Sequence, residues 1–483
     1  MTLHLDLQYI DGNWKEGSSE KTIENNNPFS NERISTIKSA SEKEVNEAYS
    51  AAAHAQKEWA VYTPAEKQGY FEKLLQVLKE EKDLITEWLV KESGSTRIKA
   101  EAEFGAAYEV TREALSFPSR MNGQILPSNV PNKENYVYRR PKGVVGVIGP
   151  WNFPFHLSMR SVAPALAAGN TVVIKPASDT PMTSGLLFGY LFEKAGFPKG
   201  VVNVVVGRGS EIGDAFVQHK VPKLISFTGS TEVGSHLASE AGKLLKDTAL
   251  ELGGNNAMVV LGDADVDRAV DAAIFGKFLH QGQICMALNR IIVDASIHDE
   301  FVEKFVKRVK DLPYGDPSNS STVVGPLINH SQVERIQNEV DRSVKEGANL
   351  LTGGSHEGNV FEPTVVSNVT KDMDIFQNEL FGPVVSIVKV QSEEEAIETA
   401  NDTIYGLSGS VFTKDRFRGM EVARQIETGM IHVNDQSVND EAHVAFGGEK
   451  DSGLGRFGGV WALDKFTTVQ TVSVMSGYRE YPF

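Results

Sequence analysis

Cys285 is the only cysteine in the chain and stands in the segment HQGQICMALNR. A lone thiol is more often a small buried apolar residue than a reactive group. This one follows a predicted helix that ends near His280, so it lies in a loop at the end of an element, where catalytic residues concentrate. If it is reactive, its thiolate would attack an electrophilic carbon such as a carbonyl.

Further polar side chains stand where apolar segments end. Asn152 follows VVGVIG, Lys175 ends TVVIKP, and Glu251 ends TALEL before two glycines. An amide can donate a hydrogen bond to a developing oxyanion, and a lysine can hold a ribose hydroxyl or a phosphate. Each residue could also be an ordinary turn or surface side chain. The carboxyl ends of parallel strands face a common crevice. Because all three residues stand at predicted strand ends, a shared site is favoured over three unrelated turn residues.

Two more segments fit such a crevice. FTGSTEVG, residues 227–234, joins a predicted strand to a helix and offers backbone N–H groups to an anion, although many strand–helix turns have this composition. Glu379 lies in NELFGPV, where it could also be a plain loop carboxylate.

The elements that must position these residues form two α/β sets. VVGVIG, TVVIKP, VVNVVVG, KLISFTG and TALEL alternate with helical segments, which predicts a parallel sheet covered on both faces. A second set of strand-like and helical segments, from NAMVVL to GMIHVN, predicts a second domain with its own hydrophobic core. The boundary between the two domains is predicted near Gly253–Gly254. Residues 41–95 are predicted to be helical, from a capping box at Ser41 and Glu44 to a stop at Gly94. ENYVYRRP and TTVQTVSVM are β-like stretches outside either core, and such strands often pair across subunits.

Composition narrows the class of protein. The chain has 483 residues, of which 41% are hydrophobic and 23% charged, as expected of a globular enzyme with several domains. Its net charge of −16 argues against nucleic-acid binding. One cysteine, no signal peptide and no long apolar run predict a cytoplasmic protein without a membrane span. GRGSEIG has the wrong spacing for a G-x-G-x-x-G turn, and neither a P-loop nor a metal motif is found, so no metal is expected.

Together and in this order, PWNFP, IKPAS, FTGSTEVG, LELGGNN, GQICM, NELFGPVV and FGGEKDSGLGR resemble the NAD(P)-dependent aldehyde dehydrogenase superfamily along nearly the whole chain. The segments NFPFHLSMRSVAPALAAGN, HQGQICMALNR and YREYPF resemble its benzaldehyde and vanillin dehydrogenase branch. The resemblance implies an α/β aldehyde dehydrogenase-like fold. It would have a Rossmann-like cofactor domain (1–120 and 142–253), an α/β catalytic domain (254–450) and a β oligomerisation arm (121–141 and 465–483), in a homodimer or homotetramer.

The resemblance also implies roles. Cys285 would be the nucleophile that forms a thiohemiacetal and then a thioester, Asn152 would hold the oxyanion, and Glu251 would activate water. The residues implied to bind the NAD or NADP cofactor are Pro150, Trp151, Lys175, Ser178, Gly229, Ser230, Gly234, Glu379 and Phe381. Those implied to form the pocket for the aldehyde are Phe153, Arg160, Ile284, Met286 and Phe446.

Ser178 departs from many NAD-preferring members, which carry Glu three residues after the ribose-binding lysine. A carboxylate there would bind the 2′-hydroxyl and repel a 2′-phosphate, so serine predicts that NADP⁺ is accepted, although the neighbouring Asp179 could restore some repulsion. Succinate-semialdehyde dehydrogenases carry Arg at the position of Arg160, so a semialdehyde is the alternative to an aromatic substrate.

Other classes of protein remain as alternatives. A CoA-acylating dehydrogenase would generally lack the water-activating carboxylate that Glu251 provides. A cofactor-free thiol hydrolase would have no use for Lys175 and Glu379. A non-catalytic protein with the same fold need not keep Cys285, Glu251 and Asn152 together.

Overall fold

A largely parallel sheet dominates the first half of the chain in the computed structural model, which describes residues 3–4 and 6–483. Its strands, in spatial order, are Asn13–Lys15, Gln8–Ile10, Val202–Val204, Thr171–Lys175, Val144–Ile148, Leu224–Thr228, Asp247–Glu251 and Gly453–Leu454. The central strands are rich in Val and Ile and lie buried between helices, as a parallel sheet with two covered faces requires.

The order of these strands creates a crevice. From Val144–Ile148 the chain adds Thr171–Lys175 and then Val202–Val204 on one side, and it returns to add Leu224–Thr228 and Asp247–Glu251 on the other. The direction of winding therefore reverses beside Val144–Ile148. In open α/β sheets, ligands bind outside the carboxyl ends of the strands at such a reversal.

A second sheet follows in the chain. Its order is Asn349–Thr352, Thr364–Ser367, Val384–Val390, Leu288–Asp294, Asn256–Val260, Gly409–Phe412 and His432–Val433, and only the first pair is antiparallel. The chain then returns to the first sheet, where Gly453 pairs with Glu251 and Leu454 with Leu250.

The helices cover both sheets. Their bounds are Glu42–Trp59, Pro64–Glu80, Lys82–Ser93, Arg97–Ala114, Pro154–Ala167, Leu187–Lys194, Asp214–Gln218, Thr231–Gly242, Val266–Phe278, His298–Lys310, His330–Lys345, Asp374–Gln377, Glu393–Asn401, Arg416–Ala423 and Gly459–Lys465. Single turns of 3-10 helix lie at Phe117–Arg120 and Leu279–Gly282, and single π turns at Met182–Leu186 and Gly209–Gly213.

Local signals set several of these ends. The predicted capping box is confirmed, because Ser41 accepts a hydrogen bond from the backbone of Lys43 and Glu44 accepts one from that of Ser41. Gly94 ends the helical region with φ of 65°, in the left-handed region that suits glycine. The helical segment after Thr171–Lys175 begins with the π turn Met182–Leu186 and continues as the α-helix Leu187–Lys194. Glu92 holds that turn by accepting hydrogen bonds from the backbone of Met182 and Thr183.

A three-stranded antiparallel sheet stands apart from both cores. It pairs Gln124–Pro127 with Lys133–Pro141, and Lys133–Pro141 with Thr467–Met475. The two β-like stretches that the sequence left outside the cores therefore lie side by side. Ile125, Val469 and Val474 remain exposed on this sheet.

The remaining strands form two-stranded sheets that pair Thr22–Asn26 with Arg33–Lys38, His356–Glu357 with Val360–Phe361, and Tyr405–Gly406 with Glu449–Lys450. No helix among the described residues has both the length and the apolar character needed to cross a membrane.

Candidate active site

A cavity of about 790 Å³ lies at the reversal point of the first sheet and reaches both Lys175 and Cys285. It gathers residues that lie far apart in the chain. The predicted residues that line it are Pro150, Trp151, Asn152, Lys175, Gly229, Ser230, Cys285, Glu379 and Phe381. Ser178 and Gly234 do not line it, and neither do Glu251 or the residues predicted for the aldehyde pocket.

Cys285 is fixed through its backbone. The Asn256 amide donates to the carbonyl oxygens of Cys285, at 2.7 Å, and Ala287, at 2.9 Å. Gly254 packs so closely on the Cys285 carbonyl that a β-carbon there would overlap it. The preceding helix ends at Phe278, and His280 then takes a positive φ as the chain enters the cysteine loop. Hydrogen bonds from Asn256 and close packing by Gly254 therefore fix the conformation of the cysteine loop.

The Cys285 side chain is only 8% exposed. Burial raises the pKa of its thiol to about 12, while the positive charge of Arg160 acts in the opposite direction. The thiol is therefore protonated at neutral pH in the free protein. A nearby base must take its proton before it can act as a nucleophile.

Asn152 lies next to the cysteine loop, and both ends of the residue are held. Its Nδ2 donates to the carbonyl of Gln283 at 3.0 Å, and its own carbonyl accepts from Lys99 Nζ at 2.7 Å. An amide nitrogen carries two hydrogens, so one remains to donate to an oxygen atom bound beside Cys285.

Lys99 and Glu103 form a fully buried ion pair beneath this position. Glu103 also accepts backbone hydrogen bonds from Phe155, at 2.9 Å, and His156, at 3.1 Å, at the start of helix Pro154–Ala167. The pair therefore connects the start of this helix to the Asn152 carbonyl. Sequence reasoning missed it, because Lys and Glu at this helical spacing usually form a surface pair.

Glu251 is 1% exposed, and neither carboxylate oxygen has a hydrogen-bond partner within the described residues. Burial raises the pKa of its carboxyl to about 8, and Arg160 opposes that rise. Arg160 Nη2 is 4.0 Å from Glu251 Oε2, while its Nη1 donates to Asp440 at 3.1 Å. A buried carboxyl group without fixed partners, whose charge acts on the Cys285 thiol, can accept a proton from a water molecule or from the cysteine.

The residues predicted for the aldehyde pocket lie in the protein core. Ile284, Met286 and Phe446 share a buried cluster with Cys285, and Phe153 packs against that cluster. The Arg160 guanidinium lies 3.9 Å from the centre of the Phe446 ring. The predicted pocket residues are therefore packed into the protein core and do not line the open cavity.

The distal part of the cleft offers groups suited to a dinucleotide. Gly229 and Ser230 line it at the start of helix Thr231–Gly242, whose free N–H groups favour an anion such as a pyrophosphate. Lys175 is buried, which lowers the pKa of its amine to about 8, and it donates to the Pro176 carbonyl at 3.2 Å.

The part of the cleft next to Cys285 is suited to a ribose and a planar ring. Glu379 accepts from the Gly254 backbone at 2.9 Å, and burial raises the pKa of its carboxyl to about 7. Trp151 and Phe381 meet edge to face, with ring centres 5.3 Å apart. These residues fit a nicotinamide dinucleotide in size, charge and hydrogen bonding.

The cleft also contains residues that the sequence did not single out. Gln332 and Arg335 reach it from helix His330–Lys345, and Glu211 reaches it from the turn Gly209–Gly213. Glu211 lies in GRGSEIG, a segment whose glycine spacing does not match the G-x-G-x-x-G turn. Its position after a strand of the parallel sheet was the signal that could have found it. Among the described residues, no group of His, Cys, Asp and Glu side chains is arranged to hold a metal.

Known proteins resemble this chain along nearly its whole length. Residues 14–472 match the model of the aldehyde dehydrogenase family. The chain is 53% identical to a vanillin dehydrogenase of Corynebacterium glutamicum, over 96% of each protein, and 50% identical to the benzaldehyde dehydrogenase YfmT of Bacillus subtilis, over 99% of each. The crystal structure of an NAD-dependent benzaldehyde dehydrogenase from Corynebacterium glutamicum superposes with a TM-score of 0.92 at 48% identity, covering 100% of this chain and 99% of the other. The chain belongs to the aldehyde dehydrogenase family.

Proposed function

We propose that this protein oxidises an aromatic aldehyde to the carboxylic acid, with NAD⁺ or NADP⁺ as the electron acceptor. The observation that carries the proposal is the single cleft that joins dinucleotide-binding groups to the Cys285 thiol. The vanillin and benzaldehyde dehydrogenases among its relatives support the aromatic substrate class.

In the proposed reaction, Glu251 takes the thiol proton and the Cys285 sulfur attacks the aldehyde carbonyl. A C–S bond forms, and the carbonyl oxygen gains the negative charge of a thiohemiacetal. The free amide hydrogen of Asn152 and the backbone N–H of Cys285 donate to that oxygen. Preorganised donors of this kind lower the barrier because they need no rearrangement as charge develops.

The bound dinucleotide supplies a hydride acceptor. Lys175 would bind the adenosine ribose, Glu379 the nicotinamide ribose, and the turn at Gly229 and Ser230 the pyrophosphate. Trp151 and Phe381 would exclude water from the end of the cleft next to the sulfur. Pro150, which also lines the cavity, completes the proposed cofactor set, whereas Ser178 and Gly234 do not line the cavity.

Hydrolysis of the resulting Cys285 thioester then needs a base. Glu251 first releases the thiol proton to solvent. It then accepts a proton from a water molecule while the oxygen of that water attacks the thioester carbon. The C–S bond breaks, the sulfur leaves as the thiolate, and the carboxylic acid is released. A pKa near 8 suits this task, because such a carboxylate is basic enough to take the proton and acidic enough to release it afterwards.

The surroundings of Arg160 favour an aromatic over a semialdehyde substrate. Its guanidinium faces the carboxylates of Asp440 and Glu251 and stacks on Phe446. Its charge is therefore already balanced, which disfavours a second role in binding a substrate carboxylate. Phe153, Ile284, Met286 and Phe446 would instead pack against an aromatic ring.

We also propose the domain organisation that the sequence suggested: a cofactor domain (1–120 and 142–253), a catalytic domain (254–450) and an arm (121–141 and 465–483). The exposed apolar side chains of the arm support its pairing with another copy in a homodimer or homotetramer. We place the working enzyme in the cytoplasm.

The test is a comparison of kcat/KM for benzaldehyde, vanillin, succinate semialdehyde and hexanal, followed as the cofactor-dependent rise in absorbance at 340 nm. The aromatic aldehydes should give the highest values, and Cys285→Ala should abolish turnover while still binding the cofactor. A dominant succinate semialdehyde value would refute the aromatic assignment. Formation of an acyl-CoA when CoA is added would refute hydrolysis.

A further inference from the structure

Glu211 is a carboxylate in the cofactor cleft that the proposed reaction does not use. It lies on the turn Gly209–Gly213, which follows the strand Val202–Val204. That strand pairs in parallel with Thr171–Lys175, so the chain leaves both strands at the same edge of the sheet. Glu211 and Lys175 both line the cavity there.

The Glu211 side chain is only 10% exposed and is held in place by its neighbours. Ser39 Oγ donates to its Oε2 at 2.8 Å. Its Oε1 is 3.6 Å from Lys21 Nζ and 4.0 Å from Arg208 Nε, and both of these cations are mostly exposed. The carboxylate therefore has a fixed position, and its negative charge reaches Lys175, where it opposes the effect of burial on the pKa of the amine.

Ser178 and Asp179, the residues from which the sequence predicted cofactor preference, are placed differently. Neither lines the cavity, where Ala177 stands instead. Asp179 is exposed, and its Oδ1 accepts from the Asn329 side chain at 3.2 Å. Asp214 and Glu379 also line the cavity, but Glu211 is the carboxylate whose charge acts on Lys175.

We propose that Glu211 is a specificity-determining residue that accepts a hydrogen bond from the 2′-hydroxyl of the adenosine ribose and repels a 2′-phosphate, so that the enzyme prefers NAD⁺. This inference rests on the proposed function. The ribose lies between Lys175 and Glu211, where the lysine donates to a hydroxyl and the carboxylate accepts from one. A 2′-phosphate would bring its negative charge against a buried carboxylate, where screening by water is weak.

The two exposed cations beside Glu211, Lys21 and Arg208, determine how neutralising Glu211 would change cofactor binding. With glutamine at this position, Lys21 and Arg208 no longer face a carboxylate and remain as a positive pair at the rim of the cleft. Cations so placed attract phosphate. Glu211→Gln should therefore improve the binding of NADP⁺ rather than merely weaken that of NAD⁺.

The experiment measures Kd for NAD⁺ and NADP⁺ by isothermal titration calorimetry on the full-length enzyme, which requires no aldehyde turnover. We expect the wild type to bind NAD⁺ at least tenfold more tightly. We expect Glu211→Gln to shift the ratio of the two Kd values at least tenfold towards NADP⁺, and kcat/KM with benzaldehyde to follow the same direction. The matched control is Glu240→Gln, which changes a carboxylate of similar exposure, bonded to Gln218 and Lys243 outside the cleft. It should leave the ratio unchanged.

A second variant keeps the test decisive if Glu211→Gln does not fold. Arg208→Gln removes an exposed cation beside Glu211 and should weaken NADP⁺ binding more than NAD⁺ binding, by about twofold or more. A ratio that stays within twofold of the wild type in every folded variant would overturn the inference, as would equal weakening of both cofactors, which is the result of a purely structural role. A wild type that binds neither dinucleotide would overturn the proposed function itself, and this inference with it.

Discussion

Glu251→Gln is expected to remove a pH-dependent loss of stability from the folded protein. A carboxyl group with hardly any exposure and no hydrogen-bond partner among the described residues is costly to ionise. Glutamine has the same shape and no proton to lose. The variant should therefore be no less stable than the wild type where Glu251 is ionised, although it lacks a catalytic group.

The magnitude follows from counting protons. Burial raises the pKa of Glu251 from 4.5 to about 8. Between these values the folded state keeps the proton that the unfolded state has released, so the free energy of unfolding falls as pH rises. Each pH unit in this window costs about 1.4 kcal/mol. From about pH 6 to pH 8, the wild type should lose roughly 2–3 kcal/mol relative to Glu251→Gln.

Urea unfolding followed by tryptophan fluorescence measures this difference. The wild type and Glu251→Gln are compared at about pH 6, 7 and 8 and at one protein concentration, because assembly also contributes to stability. Glu240→Gln is the control, since that carboxyl interacts with Lys243 and Gln218 and its pKa is lowered rather than raised. Its difference from the wild type should not change with pH over this range.

A constant difference between the wild type and Glu251→Gln across this range would refute the reasoning. It would mean that Glu251 is already ionised at about pH 6 and that Arg160, at 4.0 Å, balances its charge more effectively than burial opposes it. A difference that changed in the opposite direction would mean that the folded state favours the ionised form.

The remaining predictions concern the reaction and its supports. The kcat for benzaldehyde should rise with pH and level off above about 8, because Glu251 must be deprotonated to act as a base; a profile that falls over this range would contradict that role. Asn152→Ala should lower kcat/KM by about 10²–10³ with the Kd for NAD⁺ unchanged; a loss of less than about threefold would remove Asn152 from the oxyanion site. Lys99→Met should cost about 3–5 kcal/mol in urea unfolding, because it leaves the Glu103 carboxylate buried and unpaired; the additional change Glu103→Gln should restore part of that loss.

Much of the fold was predictable because it depends on local patterns. Buried parallel strands require runs of Val and Ile, and these runs mark the central strands of both sheets in the sequence. The strands predict where polar residues meet, since their carboxyl ends share an edge. Asn152 and Lys175 were predicted in this way, whereas Cys285 was singled out as a lone thiol in the loop after a helix. All three line one cleft.

The supports of the site were not predictable, because they depend on contacts between distant segments. Arg160 and Asp440 are 280 residues apart, and no periodicity links them. Lys99 and Glu103 have the spacing of a surface ion pair, and their complete burial depends on how helix Arg97–Ala114 packs against helix Pro154–Ala167. Glu211 required knowledge of which strand lies beside Thr171–Lys175, which is a property of the topology.

The single thiol of this chain also determines how the enzyme responds to oxidants. A sulfenic acid formed on Cys285 has no second cysteine in its own chain with which to form a disulfide. Recovery must therefore come from a small thiol that can enter the cleft, and further oxidation to the sulfinic acid is irreversible by this route. A dinucleotide bound in the cleft would cover the sulfur, because Cys285 lines the same cavity, so cofactor binding should slow the oxidation of this thiol.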